Sequence, residues 1–183
     1  MRCIPSFHVA RAENAIICRT VIGFERKQAL GRGTDSTDID QAALAEVSSS
    51  TGARIVAPDE IYDVEADIFS PNALGAIINE QTLERFRVKA IAGGANNQLI
   101  VPEMGELLRR RGILYAPDYV INGGGIINVC AEISGTYSRD WVDAKVRALM
   151  VTLGEVLDSA LETGEPTNLV ADRIARKRIG RAD

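Results

Sequence analysis

Between residues 36 and 124, short apolar runs alternate with short amphipathic stretches, punctuated by Gly, Pro, Asn and Asp. "TDIDQAALAEVSSSTGARIVA" reads as a strand end, an Asp40 cap and a short helix turning Ala43, Leu44 and Val47 inward. A Gly52 stop and a strand at 54–57 follow. "EADIFSP" is a buried strand ending at proline, "NEQTLERFR" a short helix, and "VKAIAGG" a strand ending in glycine. "VPEMGELLRRRG" opens a helix on proline and closes it on Gly112, with arginines in the last turn, where the helix dipole favours cations. "ILYAP" is a further strand. Beyond residue 124 the alternation stops, and "GIINVCAEISG", "RDWVDAKVRALMVTLGEVLDSALETG" and "TNLVADRIARKRIG" read as helices. In the second of these, Val142, Val146, Leu149, Leu153, Val156 and Ala160 form a packing stripe at helical spacing.

Strands alternating with helices predict an α/β fold with a parallel sheet covered by helices. Sites in such sheets lie beyond the carboxyl ends of the strands. Asp38, Ser70–Asn72, Gly93–Asn97 and Asn122–Gly125 all fall at or just past such ends.

Composition narrows the chemistry. The 183 residues are 46% hydrophobic and 25% charged, as in a globular protein with a core. A net charge of −4 and 5% aromatic residues give no platform for nucleic acid. No apolar run reaches the roughly 18 residues that span a bilayer, so no membrane is expected. Cys3, Cys18 and Cys130 form no CxxC pair, and His8 is the sole histidine, which leaves metal sites and a Ser-His-Asp triad without support. A reducing, cytoplasmic setting is expected. The first 33 residues differ from the rest: six basic residues face only Glu13 and Glu25.

Gly123, Gly124 and Gly125 stand before a helix and after an apolar stretch. Read as a strand-to-helix turn, they let the backbone adopt positive φ and approach a flat ring or an anion closely. Asn122 beside them offers two donors and an acceptor, able to read a carboxamide or a carboxylate. "AGGANNQL" repeats the design one strand earlier, with glycines at a strand end followed by Asn96 and Asn97. Asp38 ends a strand where a dinucleotide fold places the acid that holds a ribose. Each turn has a ligand-free explanation in caps and turn chemistry, but two such turns on one sheet edge favour a shared ligand.

"ADIFSPNALGAIINEQT", "KAIAGGANNQL", "GILYAPDYVINGGGIINV" and "PTNLVADRIARKRI" resemble the cofactor domain of the leucine/valine/phenylalanine dehydrogenases, members of the glutamate dehydrogenase superfamily. The resemblance runs from about Thr37 to Ile179 and is nearest to the leucine dehydrogenase branch. It implies NAD as cofactor, an amino acid/2-oxo acid pair as small-molecule substrate, reversible oxidative deamination, and a homo-oligomer. It also implies that Asp38 binds a ribose and that Ala92, Gly93, Gly94, Asn96 and Asn97 form the turn beside the ribose and nicotinamide. Asn122 would lie between nicotinamide and substrate, and Ile126 and Val129 would line a side-chain pocket suited to a branched aliphatic amino acid. Gly123 stands where the family often has Ala.

Two departures qualify this. The family's opening strand, G-x-G-x-x-G turn and helix, which hold the pyrophosphate, are absent before Thr37; "ALGRGTDS" offers only Gly31 and Gly33. The family's catalytic lysines belong to a substrate domain, and Lys27, Lys89, Lys145 and Lys177 match none of them. The expected organisation is therefore an unmatched segment 1–35, disordered or disturbed in reading frame, a partial NAD-binding region 36–135, and a helical segment 136–183. The expected fold is an incomplete Rossmann-like parallel sheet with flanking helices, followed by C-terminal helices. The expected state is cofactor-binding but inactive, the alternative being a non-catalytic nucleotide-binding or assembly remnant.

Overall fold

A computed structural model describes residues 16–18, 33–135 and 137–181. Cys3, His8 and Lys27, with most of the segment 1–35, lie outside the described residues. The chain order is β1 (Ile16–Cys18), β2 (Asp35–Thr37), α1 (Gln41–Thr51), β3 (Arg54–Ile55), a 3-10 turn at Glu60–Asp63, β4 (Glu65–Ser70), α2 (Glu80–Arg85) and β5 (Arg87–Ile91). Then come α3 (Met104–Arg110), β6 (Leu114–Tyr115), α4 (Asp118–Ile121), α5 (Gly124–Ile133), α6 (Arg139–Thr163) and α7 (Thr167–Arg178).

These strands form one sheet in the order β3-β2-β1-β4-β5-β6. β2 pairs with β3 in parallel, as β4 does with β5 and β5 with β6. β1 is antiparallel to both β2 and β4, so the other five strands run one way. Those five strands, with flanking helices and α5–α7 behind them, are the incomplete Rossmann-like sheet the sequence implied. The place between β2 and β4, which a parallel strand fills in a dinucleotide fold, is held by β1 running in the opposite sense.

Local chemistry explains the joints. Asp40 caps α1 by accepting from the Ala42 and Ala43 amides, and Gly52 ends it at φ 74° in the left-handed region. Asn79 and Thr82 form a reciprocal capping box on α2. Ile61, Phe69, Ile78, Leu83, Phe86, Ile91, Met104, Leu108, Ile113 and Tyr115 make the main core, under β4–β6. Its centre is aromatic: the Phe69 and Phe86 ring centroids lie 5.1 Å apart. A smaller core of Val120, Val156, Val170 and Ala171 joins α4, α6 and α7. Within the predicted stripe of α6, Val142 and Val156 are buried, while Val146 stays exposed.

The C-terminal helix is tied back to the sheet. Thr167 Oγ1 donates to the Tyr115 carbonyl at 2.6 Å, and Asn168 Nδ2 donates to the Pro102 carbonyl at 3.0 Å. A Cβ at Gly105 would sit 2.0 Å from Asn168 Oδ1, so only glycine lets α3 and α7 approach this closely. No helix among the described residues is long and apolar enough to cross a membrane, and none of their His, Cys, Asp and Glu side chains cluster as metal ligands.

Candidate functional site: the carboxyl-end rim

Because β2, β4, β5 and β6 run the same way, the residues that follow them share one rim of the sheet. Three of the turns there are stitched into a unit. After β4, Asn72 Nδ2 donates to the Ser70 carbonyl at 3.0 Å, and its Oδ1 accepts from the Gly94 amide at 2.9 Å. After β5, the Ala95 amide donates to the Pro71 carbonyl at 2.9 Å. Gln98, fully buried beneath, donates through Nε2 to the Gly93 and Ala95 carbonyls at 2.7 and 2.9 Å. After β6, Asn122 Nδ2 donates to the Gly94 carbonyl and to Asn96 Oδ1, both at 2.8 Å.

Asp118 is the buried anchor. Its Oδ2 accepts from the Asn97 amide at 2.8 Å and its Oδ1 from the Tyr115 hydroxyl at 2.7 Å. Asn97 has φ 53°, the left-handed region that asparagine tolerates better than most residues. The Tyr115 phenol is pushed far above its ordinary value, first by burial and then by donating to Asp118. It stays a donor at any physiological pH. Neither Asp118 nor Tyr115 was a candidate from the sequence. The readable signal was a carboxyl in "LYAPDYV", set between apolar and aromatic residues, which demands a buried partner.

The predicted residues divide accordingly. Ala92, Gly93, Gly94, Asn96, Asn97 and Asn122 come together in this unit. Asp38 stands on the same rim after β2, separated from β4 by β1. It is 4% exposed; its Oδ1 accepts from the Asp40 amide at 2.8 Å, and its Oδ2 is buried with no partner among the described residues. Ile126 and Val129, 64% and 45% exposed, share a face of α5 with Ile133. Two clefts among the described residues lie elsewhere. One, of about 920 Å³, follows the opposite rim past Arg54, Asp63, Asp67, Arg87, Lys89 and Arg111. The other, of about 210 Å³, lies between α3 and the α6–α7 joint.

The glycine readings need correction. A one-turn helix, α4, separates β6 from the three glycines, so they do not form a strand-to-helix turn. None of the three has positive φ. A Cβ at 123 would come 3.2 Å from Leu149 Cδ2, so α6 uses the space that Gly123 leaves. Gly93 is obligatory for an intramolecular reason: a Cβ there would lie 2.1 Å from the Pro71 carbonyl oxygen. Asn122 is more specific than its composition implied. With Nδ2 committed twice to the neighbouring turn, it has only Oδ1 left to offer, which suits a donor such as a carboxamide NH2 or an ammonium, not a carboxylate.

Residues 16–181 match the family described as Glutamate/Leucine/Phenylalanine/Valine dehydrogenase. The chain is 48% identical over 143 residues to the leucine dehydrogenase of Thermoactinomyces intermedius, covering 78% of this chain and 39% of that protein. It is 40% identical to the phenylalanine dehydrogenase of Bacillus thermotolerans, over 93% of this chain and 47% of the relative. Among solved structures it resembles L-tryptophan dehydrogenase from Nostoc punctiforme, with TM-score 0.76 and 42% identity over 79% of this chain and 44% of the other. The chain thus spans less than half the length of each of these relatives.

Proposed function

The chain belongs to the glutamate/leucine/phenylalanine/valine dehydrogenase family, and from that premise we propose that its carboxyl-end rim is the cofactor-facing wall of an NAD-dependent amino acid dehydrogenase. One observation carries this reading: Asn122 bridges the turns after β5 and β6 and presents a lone acceptor at their junction.

The rim's polar atoms suit the two sugar-bearing ends of the cofactor. At one end, the unpartnered Asp38 Oδ2 matches a ribose hydroxyl donor. At the other, Ala92–Asn97 and Asn122 form a ledge for the second ribose and the nicotinamide. When bound, the cofactor would accept the hydride in reversible oxidative deamination. The chain's own contribution is to bind and orient. Asp118 fixes the backbone at Asn97, Asn72 fixes Gly94, and Asn122 Oδ1 accepts from a carboxamide or ammonium group. Ile126 and Val129 present branched aliphatic surface beside Asn122, which favours a branched-chain amino acid. A methylene in such a pocket is worth only about 1–3 kcal/mol, so the preference is a gradient among aliphatic substrates.

This chain supplies one wall and is expected to show no turnover by itself. Lys89 pairs with Asp67 on the opposite rim, and Lys145 lies over the Trp141 ring on α6, so neither is placed to polarise a carbonyl at the ledge. Assembly with further copies is part of the proposal: outside the residues assigned to the pocket, α5 exposes Ile133, and α6 exposes Met150 and Val151. Calorimetric titration with nicotinamide riboside and NAD tests the reading. Saturable binding that disappears in Asn122→Ala supports it; absence of binding to either ligand refutes it.

A further inference from the structure

We infer that Tyr119 and Leu149 are positioning residues: through them the C-terminal helices α7 and α6 set where Asn122 stands on the rim. What Asn122 does there rests on the function just proposed; how it is held there does not.

Asn122 closes α4, its backbone amide donating to the Asp118 carbonyl at 2.8 Å. A helix of four residues has no stability of its own, because its first turn fixes several residues for a single hydrogen bond. Its orientation is borrowed from whatever it packs on. Asp118 pins the start of α4 to the rim turns, and the residues on either side of Asn122 meet the C-terminal helices. The Tyr119 hydroxyl lies 2.9 Å from the Asn168 carbonyl oxygen and 2.8 Å from Asp172 Oδ1, both on α7. It has one proton to give to these two acceptors. Burial first, and then Asp172, raise the phenol above its ordinary value, so it remains the donor. Val120 is buried with Val156 of α6 and with Val170 and Ala171 of α7. Beyond Asn122, Gly123 faces α6, where a Cβ on the glycine would lie 3.2 Å from Leu149 Cδ2.

A positioning element must itself be fixed, and α7 is. Thr167 bonds the Tyr115 carbonyl on β6, Asn168 bonds the Pro102 carbonyl ahead of α3, and Gly105 leaves room for the Asn168 side chain against α3. The side-chain bonds of Asn122 cannot do this work alone. Both of its Nδ2 contacts, to the Gly94 carbonyl and to Asn96 Oδ1, are exposed to solvent, where water competes for the same groups. Such bonds tolerate a drift of only about half an ångström before they weaken. Asp118 supplies one fixed point; Tyr119, Val120 and Gly123 fix how the turn is rotated about it.

The test uses the full 183-residue chain, labelled with nitrogen-15, and reads the Asn122 side-chain NH2 by NMR, its signals assigned by their loss in Asn122→Ala. Tyr119→Phe removes one hydroxyl and keeps the ring. Leu149→Ala removes the wall beside Gly123. In each variant, exchange of that NH2 with water should accelerate by about tenfold, and nicotinamide riboside should bind about threefold or more weakly, as the loss of one held hydrogen bond gives. Leu44→Ala, which weakens the chain at α1, should leave the Asn122 signals and their exchange unchanged. Unchanged NH2 exchange in Tyr119→Phe overturns the inference for α7, and in Leu149→Ala for α6; either result leaves the proposed function standing. If circular dichroism shows that Leu149→Ala does not fold, Tyr119→Phe decides alone. An equal response to Leu44→Ala also overturns the inference, since the NH2 would then report overall stability and not position. If the NH2 responds as expected but the parent chain binds no nicotinamide riboside, the positioning stands and the proposed function fails.

Discussion

β4 pairs with β5 from Glu65–Arg87 to Phe69–Ile91, whereas β2 meets β3 only at Asp35–Arg54 and Ser36–Ile55. The first pairing sits over ten buried apolar residues from Ile61 to Tyr115. Beside the second, among the described residues, the buried apolar side chains include Leu44 and Ala53. β2 itself reads Asp-Ser-Thr and is followed by Asp38, and all four are buried. Asp35 is met by Arg54 at 2.5 Å, but Ser36 Oγ, Thr37 Oγ1 and Asp38 Oδ2 have no partner among the described residues. The β4–β6 half has unpartnered atoms too, Gln98 Oε1 and, in the helix behind it, Asn168 Oδ1, but each belongs to an amide whose NH2 is bonded. One half is thus held by apolar burial, which generates its own stability. The other holds polar groups out of water and depends on what comes to meet them.

The largest effect should come from removing the centre of the apolar half. Phe69 is fully buried against Phe86 and Tyr62. Phe69→Ala should cost about 3–5 kcal/mol and unfold the whole chain in denaturant melts. Leu44→Ala, 3% exposed but outside that core, should cost less and act locally. Amide exchange would show it as faster opening of α1 and β2 with β5 still protected. Equal losses of protection in both halves would mean that the sheet folds as one cooperative unit, and the contrast drawn here would be wrong.

Next in size is Asp118→Ala. It strands the Tyr115 hydroxyl and the Asn97 amide, two buried or half-buried donors, at a cost of about 2–3 kcal/mol. Binding of nicotinamide riboside should fall with it, because Asn97 loses the contact that holds its left-handed backbone. Asp118→Asn keeps one acceptor and should recover part of both losses. A melt combined with a titration checks the pairing of effects; a variant that loses stability but binds as before would show that the anchor does not position the ledge.

How much of this was legible follows the same division. Apolar runs such as "EADIFSP" and "VKAIAGG" announce strands because burial drives them, and they led directly to the rim turns. β2 was marked only by its end at Asp38, since a polar strand has no periodicity to read. β1 was not legible at all: three residues inside "NAIICRTVIGF" carry no signal for the direction in which they pair. Asp118 was missed for another reason. Its partners, Asn97 and Tyr115, lie on two different turns, and no local pattern marks a carboxyl as their common acceptor. The glycines were seen but misassigned, since Pro71 and Leu149, which require them small, are distant in sequence.

A smaller and opposite effect is expected at Asp38. Replacing it with Asn keeps an oxygen for the Asp40 amide and exchanges a buried carboxylate oxygen for a neutral group, which is cheaper to hold away from water. Asp38→Asn should therefore stabilise the chain by about 1 kcal/mol while it loses adenosine. A drop in melting temperature would indicate that Asp38 is a structural cap rather than a group kept for a ligand.

The smallest effect tests the comparison through acid. Three carboxyls outside the β1–β3 half are held below their ordinary range by arginine partners: Asp63 by Arg85, Glu165 by Arg173, and Glu106 by Arg109 and Arg110, down to about 2. A carboxyl depressed in the folded state contributes stability that is complete above its unfolded value, near 4.5 for Glu106. That contribution fades as pH falls from there through about 2. Glu106 bonds Arg109 and Arg110 on the surface of α3, so solvent screens much of the gain and the loss should be modest. Glu106→Gln should flatten the acid limb of the stability curve between those two values while leaving neutral pH almost unchanged. Amide exchange at low pH should then show α3 and β6 loosening in the parent chain but not in the variant. An acid limb that does not respond to Glu106→Gln, and starts instead in α1 and β2, would place the acid-sensitive groups in the polar half and reverse this last part of the comparison.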